Sequence, residues 1–241
     1  MHRLFLVHPI PAPGQTLLIE GDEAAHALRV KRLGPGDTLA LLDGCGVTAL
    51  ARVDPPDFQP ASRRSPASLR LTITDRTEHP PPSPALDVFT ATPKGARPDD
   101  LIDQLSQVGA ASWAPLHTER GVVDPRPAKL DRLERIARES AKQCGRPWLL
   151  RIDPPRDLRA LLADPSRPAT ILADASGEPY RPMELAAPSA IRLLIGPEGG
   201  WSPAELQSAR AASATIARFG PHTMRIETAA VAAAAIIMAA P

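Results

Sequence analysis

LLIGPEGGWSPAEL, residues 193–206, carries the strongest local signals in the chain. An apolar run over residues 191–195 enters a loop of Gly196, Pro197, Glu198, Gly199 and Gly200. A strand without polar alternation belongs in a parallel sheet covered on both faces. The helix that follows is announced by Ser202 as N-cap, Pro203 at the first helical position and Glu205 three residues after the cap. A glycine loop at the carboxyl end of a parallel strand is where α/β proteins place ligands, because backbone approaches closely there and amides point outward. The bland reading is an ordinary tight turn between strand and helix. Neither GxGxxG nor GxxxxGK[ST] occurs, so dinucleotide and P-loop readings lose their main support.

Working outward, residues 218–238 read RFGPHTMRIETAAVAAAAIIM. A strand ends in Phe219-Gly220-Pro221, a short loop carries His222, Arg225 and Glu227, and a helix starts at about Thr228. That helix is apolar on every side, so it belongs in the core or against another subunit. Arg225 and Glu227 read equally as site residues or as a structural ion pair at a helix start.

The segments between residue 85 and these motifs alternate. Strands are expected at 86–92, 112–116, 148–152, 169–175, 191–196 and 215–220, with helices at 98–108, 129–143, 158–163 and 203–212. Alternation implies parallel pairing with helical crossovers, an α/β domain. Upstream, short strands at 3–7, 16–20, 38–46, 48–53 and 69–74 are separated by Gly, Pro and Asp, the pattern of a small β-barrel, with one helix at 23–32 capped by Asp22. Residues 54–66, DPPDFQPASRRSP, read as a long hairpin loop, and HPPPSPA from residue 79 as a stiff linker. The expected division is a barrel over 1–78, a linker over 79–84 and an α/β domain over 85–241.

Bulk properties exclude more than they assert. Two cysteines, Cys45 and Cys144, without CxxC or matching histidine spacing indicate neither a disulfide framework nor a metal site. No run approaches the roughly 20 apolar residues of a membrane span, and the amino terminus lacks a signal-peptide pattern, which fits a reducing cytoplasm. A net charge of +1 means that any nucleic-acid contact must come from local clusters. With only 3% aromatics, base-stacking modules are disfavoured.

The paired signatures IGPEGGWSPAE and FGPHTMRIETA resemble those of the RsmE family of RNA methyltransferases. Two further segments agree: EAAHALRVKRLGPGD at 23–37, with His26 and Arg32 at matching places, and ESAKQCGR at 139–146, with Glu139, Gln143, Gly145 and Arg146 retained. The resemblance spans nearly the whole chain in unchanged order. It implies a knotted SPOUT fold, an α/β domain with a deep carboxyl-terminal trefoil knot, preceded by a PUA-like β-barrel. It implies an S-adenosyl-L-methionine-dependent enzyme that methylates N3 of a uridine in 16S, small-subunit ribosomal RNA, acting as a homodimer. The cofactor is then expected among three loops: Leu172 and Ala173; Ile195, Gly196, Pro197, Glu198, Gly199 and Gly200; and Phe219, Gly220, Met224, Arg225 and Ile226.

Methyl transfer to N3 requires that N3 lose its proton, and the uracil anion so formed needs a cation near its carbonyl oxygens. Arg225 is the first candidate and Arg146 the second, because guanidinium donates two parallel hydrogen bonds to a planar acceptor. Glu227 is expected to orient Arg225 or act as base, and Glu198 to shape the glycine loop. Arg3, His26, Arg29, Lys31 and Arg32 form the basic cluster expected to grip RNA. The chain departs from the family pattern at Gln104, Gln107, Gly121 and His222. These departures motivate an alternative, a non-catalytic RNA-binding or ribosome-assembly protein that kept the fold. A small-molecule enzyme using the glycine loop for phosphate is disfavoured by the absence of a lysine in that loop.

Overall fold

The computed structural model describes residues 2–6, 9–29, 32–55, 68–121, 127–164, 166, 168–181 and 189–239. The chain forms two compact units, Met1–Pro81 with Ala141–Leu149, and Pro82–Ser140 with Leu150–Pro241. A return segment thus joins the first unit, which a single cut in the sequence does not provide for.

The first unit is built from β1 (Arg3–Phe5), β2 (Thr16–Glu20), α1 (Asp22–Arg29), β3 (Thr38–Leu42), β4 (Val47–Val53) and β5 (Ser68–Glu78). The strands form one mixed sheet in the order β1-β3-β4-β5-β2, in which only the β1–β3 pair is parallel; it curls into a half-barrel. Alternation explains the curl's inner face: Leu69, Leu71 and Ile73 of β5 point inward while Arg70 and Thr74 are exposed. Thr74 is the residue left over at a bulge opposite Leu50 and Ala51, and its hydroxyl donates to the Leu50 carbonyl at 3.1 Å. Ala24, Ala27 and Leu28 of α1 close the core. Asp22 is the first helical residue rather than the residue before the helix. Most of the expected hairpin loop, from Pro56 on, lies outside the described residues.

The second unit comprises β6 (Ala85–Thr90), α2 (Arg97–Val108), β7 (Ser112–His117), most of α3 (Pro127–Cys144), β8 (Arg151–Ile152), β9 (Arg156–Asp157), α4 (Leu158–Ala163), β10 (Ala169–Pro179), β11 (Ala190–Ile195), α5 (Pro203–Ala211), β12 (Thr215–Arg218) and α6 (Ile226–Met238). Its sheet is parallel throughout, ordered β12-β10-β11-β6-β7-β8 with β9 beside β7. One face is covered by α2 and α6, the other by a core of Phe89, Leu158, Leu161, Leu172, Leu194, Trp201 and Ala209. Chain order reverses between β6 and β11, the kind of switch point at which doubly wound sheets bind ligands. Register aligns Thr90, Ile195, Ala173 and Ala217 across four neighbouring strands, so the loops that follow them open at one end of the sheet.

The strand expected at 148–152 is shorter, only Arg151–Ile152. The cause is the return segment: Trp148 bridges to Cys45, and the Leu149 amide donates to the Gly44 carbonyl at 2.9 Å, so both residues pair with the β3–β4 turn instead. Nor is α6 buried all round. Ile226, Ala230, Ala233, Ala234 and Ile237 are covered, whereas Thr228 is exposed and Ile236 remains 43% exposed. Among the described residues no helix is long and apolar enough to cross a membrane, and no cluster of His, Cys, Asp and Glu has metal-binding geometry.

Candidate cofactor and active site

Three segments at the carboxyl end of the sheet enclose a cleft of about 450 Å³. The glycine loop is the most tightly built. A side chain on Gly196 would place Cβ 2.8 Å from the Trp201 ring, so the indole occupies the space that only glycine leaves. Trp201 Nε1 donates to the Ala173 carbonyl at 3.0 Å and ties this loop to β10. Gly200 has φ +68°, the left-handed region that glycine adopts without penalty. Ser202 and Glu205 form the expected capping box, the Ser202 hydroxyl accepting from the Glu205 amide at 3.1 Å and Glu205 Oε2 accepting from the Ser202 amide at 2.8 Å. Glu205 does more than its sequence position promises. Its Oε1 accepts the Glu119 amide at 2.9 Å, so one buried carboxylate anchors both the loop after β11 and the loop after β7. From that second loop Arg120 Nη1 donates to the Gly199 carbonyl at 2.8 Å.

The second segment follows β12. Phe219 stacks on Tyr180 with ring centroids 4.8 Å apart, and Met224 Cε reaches within 3.6 Å of where a Gly220 side chain would begin. Burial raises the Tyr180 phenol above its ordinary pKa. Arg225 is the N-cap of α6, extended in backbone and exposed, and its side chain makes no capping bond. The third wall is β10, where Asp174 Oδ1 accepts from both the amide and the hydroxyl of Ser176 in an irregular stretch of the strand.

Of the residues expected around a cofactor, Ala173, Ile195, Gly196, Pro197, Glu198, Gly199, Gly200, Phe219, Gly220, Met224 and Ile226 line this cleft. Leu172 does not: it is fully buried in the core beneath, and Asp174 and Ala175, two and three residues further along, line the wall instead. Arg225 stands outside the lining. Trp201, Arg218, His222 and Thr223 line the cleft without having been singled out as ligand contacts. The sequence signal for Trp201 was its place directly after the glycine pair.

Glu227 pairs with Arg97, so the reading of Arg225 and Glu227 as a structural ion pair is not what the structure shows. Glu227 Oε1 lies 3.7 Å from Arg97 Nε at the start of α2, and Arg97 Nη1 lies 4.0 Å from Glu198 Oε1. Arg146 belongs to the return segment of the first unit, where desolvation pulls its guanidinium below the usual arginine range. In the first unit, Arg3 is occupied structurally: Nη1 donates to the carbonyls of Lys142 and Gln143 at 3.1 and 2.9 Å, capping the last turn of α3. His26 and Arg29 are exposed on α1, His26 lying 5.8 Å from the His2 ring, and Arg32 is exposed just beyond. Lys31 lies outside the described residues.

The departures fall on open surface. Gln104 and Gln107 are exposed on α2, and Gln107 donates to Asp103 at 2.9 Å. A side chain on Gly121 would begin 3.0 Å from Thr118 Oγ1, a buried hydroxyl oxygen without a partner. His222 is exposed on the rim of the cleft.

Comparison with known proteins places the chain in a family. An RNA methyltransferase domain family matches residues 80–238 and an RNA methyltransferase PUA domain family matches residues 19–58. The ribosomal RNA small subunit methyltransferase E of Mycobacterium bovis is 30% identical over 240 residues, covering 95% of this chain and 88% of that protein. Its counterpart in Synechocystis is 31% identical over 217 residues, covering 88% of this chain and 69% of that protein. The crystal structure of a ribosomal RNA small subunit methyltransferase E from Neisseria gonorrhoeae bound to S-adenosyl methionine superposes with a TM-score of 0.82 at 26% identity, covering 98% of this chain and 96% of that one. With a methyltransferase family spanning most of its length and a PUA family upstream, the chain belongs to the ribosomal RNA small subunit methyltransferase E family and is an RNA methyltransferase.

Proposed function

We propose that this protein binds S-adenosyl-L-methionine in the three-loop cleft and methylates N3 of a uridine in 16S ribosomal RNA, in the cytoplasm where that RNA is assembled. The observation that carries the reading is the cleft itself, built by the ends of β10, β11 and β12 at the carboxyl end of a parallel sheet, beside its switch point. Its volume of about 450 Å³ falls within the rough 300–1,000 Å³ span of small-molecule sites. Ile195, Phe219, Met224 and Ile226 offer apolar walls, Gly196, Gly199 and Gly200 offer approachable backbone, and Asp174 and Glu198 offer carboxylates to a cationic ligand. The cofactor's contribution is an electrophilic methyl group.

The protein's own work is to hold uracil and to stabilise the charge left when N3 loses its proton. Arg225 is suited to this: its exposed guanidinium is free of intramolecular pairs among the described residues and stands at the amino end of α6, whose unsatisfied amides add positive potential. Arg146 is the second cation for that role. Glu227, paired with Arg97 rather than Arg225, is the candidate base, or orients a neighbouring group. Arg29 and Arg32, with His26, supply the RNA grip of the first unit, Lys31 continuing the same basic run. Mass spectrometry of nucleosides from 16S RNA tests the function. A strain lacking the gene should lose 3-methyluridine and regain it on complementation; an unchanged 3-methyluridine content would remove the assignment.

The working form is a homodimer assembled on α6. The outer stripe of that helix, Ala229, Val231, Ala232, Ala235 and Ile236, is apolar and only partly covered by its own chain. Light scattering at micromolar concentration should report twice the chain mass, and Ile236→Asp should shift it towards the monomer. A monomeric wild-type protein would refute this assembly.

A further inference from the structure

Arg97 opens α2 where helix electrostatics disfavours it. A cation sits in the first turn, among unsatisfied amides that already carry positive partial charge, and Ala96 provides no side-chain cap. A residue that breaks its local preference is expected to be compensated elsewhere. Arg97 meets two carboxylates from different segments, Glu198 of the glycine loop at 4.0 Å and Glu227 in the first turn of α6 at 3.7 Å. A single guanidinium therefore spans the loop after β11 and the helix after β12, the two segments that flank the cleft. Glu227 is the more sheltered partner, its side chain 17% exposed against 45% for Glu198. Its other oxygen, Oε2, is buried and has no hydrogen-bond partner. A sheltered carboxylate with an orphaned oxygen is costly unless a cation stays close, and among the described residues Arg97 is the cation paired with it. Ion pairs this long and this open contribute little to global stability. Their consequence is placement.

We propose that Arg97 is a positioning residue of the cofactor site: its guanidinium sets the separation between the glycine loop and the start of α6, through Glu198 and Glu227, and thereby sets cofactor affinity. The proposal rests on the cofactor reading above. Lysine cannot replace it fully, because an ammonium is a point charge on a flexible stem whereas the guanidinium fork reaches both carboxylates at once.

The test is isothermal titration of the full-length protein with S-adenosylhomocysteine, alongside thermal melting of the ligand-free protein. Arg97→Ala should weaken binding roughly tenfold or more, and Arg97→Lys by an intermediate factor, with melting temperature nearly unchanged. Adding Glu227→Gln to Arg97→Ala should cost almost nothing further, since the partner is already gone. In steady state the KM for S-adenosylmethionine should rise while kcat moves less. Wild-type affinity in Arg97→Ala, or a fully additive loss with Glu227→Gln, would overturn the positioning role alone. Should Arg97→Ala not fold, Arg97→Lys with and without Glu227→Gln completes the same cycle and decides by the same additivity. A wild-type protein that binds no S-adenosylhomocysteine would bring down the cofactor reading and this proposal with it.

Discussion

Gly196→Ala should weaken S-adenosylhomocysteine binding about 10- to 100-fold, whereas Gly199→Ala should change it less than about threefold. A sequence treats these two glycines of one loop as equivalents. The structure does not. A methyl group on Gly196 would sit 2.8 Å from the Trp201 ring, a separation that atoms do not adopt, so the indole must move. Trp201 is 5% exposed, packed in the core under α5, and bonded to the Ala173 carbonyl, so its displacement disturbs the β11 loop and the β10 wall together. Overpacking of this kind costs about 1–3 kcal/mol, and each 1.4 kcal/mol or so that falls on the bound state is a factor of ten in affinity. At Gly199 the added methyl would meet the Arg120 stem at 3.5 Å, an ordinary contact, and the backbone there is not left-handed. The mechanism is checked by Trp201→Leu: in that background Gly196→Ala should cost little, because the clashing ring is absent. Should Gly196→Ala bind as wild type does, the glycine loop is not the cofactor's cradle.

Local signals carried the decisive element. Ser202, Pro203 and Glu205 specify where α5 begins from chemistry confined to four residues, and the apolar run before Gly196 specifies a strand covered on both faces, so this part of the site was legible without any fold. What could not be read depends on partners distant in sequence. Glu205 anchors Glu119, Arg97 reaches Glu198 and Glu227, and Arg3 caps a helix that ends near Cys144. Periodicity holds no trace of such pairings. The misplaced wall at Leu172 has a different origin. Leu172 lies one residue short of the aligned strand ends at Ala173 and Ile195, inside the buried sheet, and the point at which a strand covered on both faces emerges from the core cannot be counted from sequence to one residue. The strand expected at 148–152 failed for a third reason: Trp148 and Leu149 have strand propensity, but the β3–β4 turn of the first unit claims their backbone groups. The knot rests on family resemblance, since threading leaves no mark on local sequence.

Arg225→Ala should lower the single-turnover rate of uridine methylation about 100- to 1,000-fold while leaving RNA affinity and S-adenosylhomocysteine affinity nearly unchanged. The structure makes this substitution unusually clean. Arg225 is the N-cap of α6 but its side chain caps nothing, and it is exposed, so its removal should not unravel the helix or lower the melting temperature appreciably. Charge that appears on uracil only as N3 loses its proton is a partner that exists chiefly in the transition state, and removing the cation that faces it is read in the rate rather than in binding. The converse variant separates the units. Arg29→Gln with Arg32→Asn removes two exposed cations from the first unit; asparagine is chosen because Arg32 holds a positive φ of 54°, which asparagine tolerates better than most residues. RNA binding should weaken and its logarithmic salt slope should flatten by roughly 1.5, about 0.7–0.9 for each phosphate no longer neutralised. The methylation rate at saturating RNA should stay near wild type. Full-rate methylation by Arg225→Ala would remove that arginine from the chemistry, and an unchanged salt slope in the double variant would remove α1 and its exit from the RNA-binding surface.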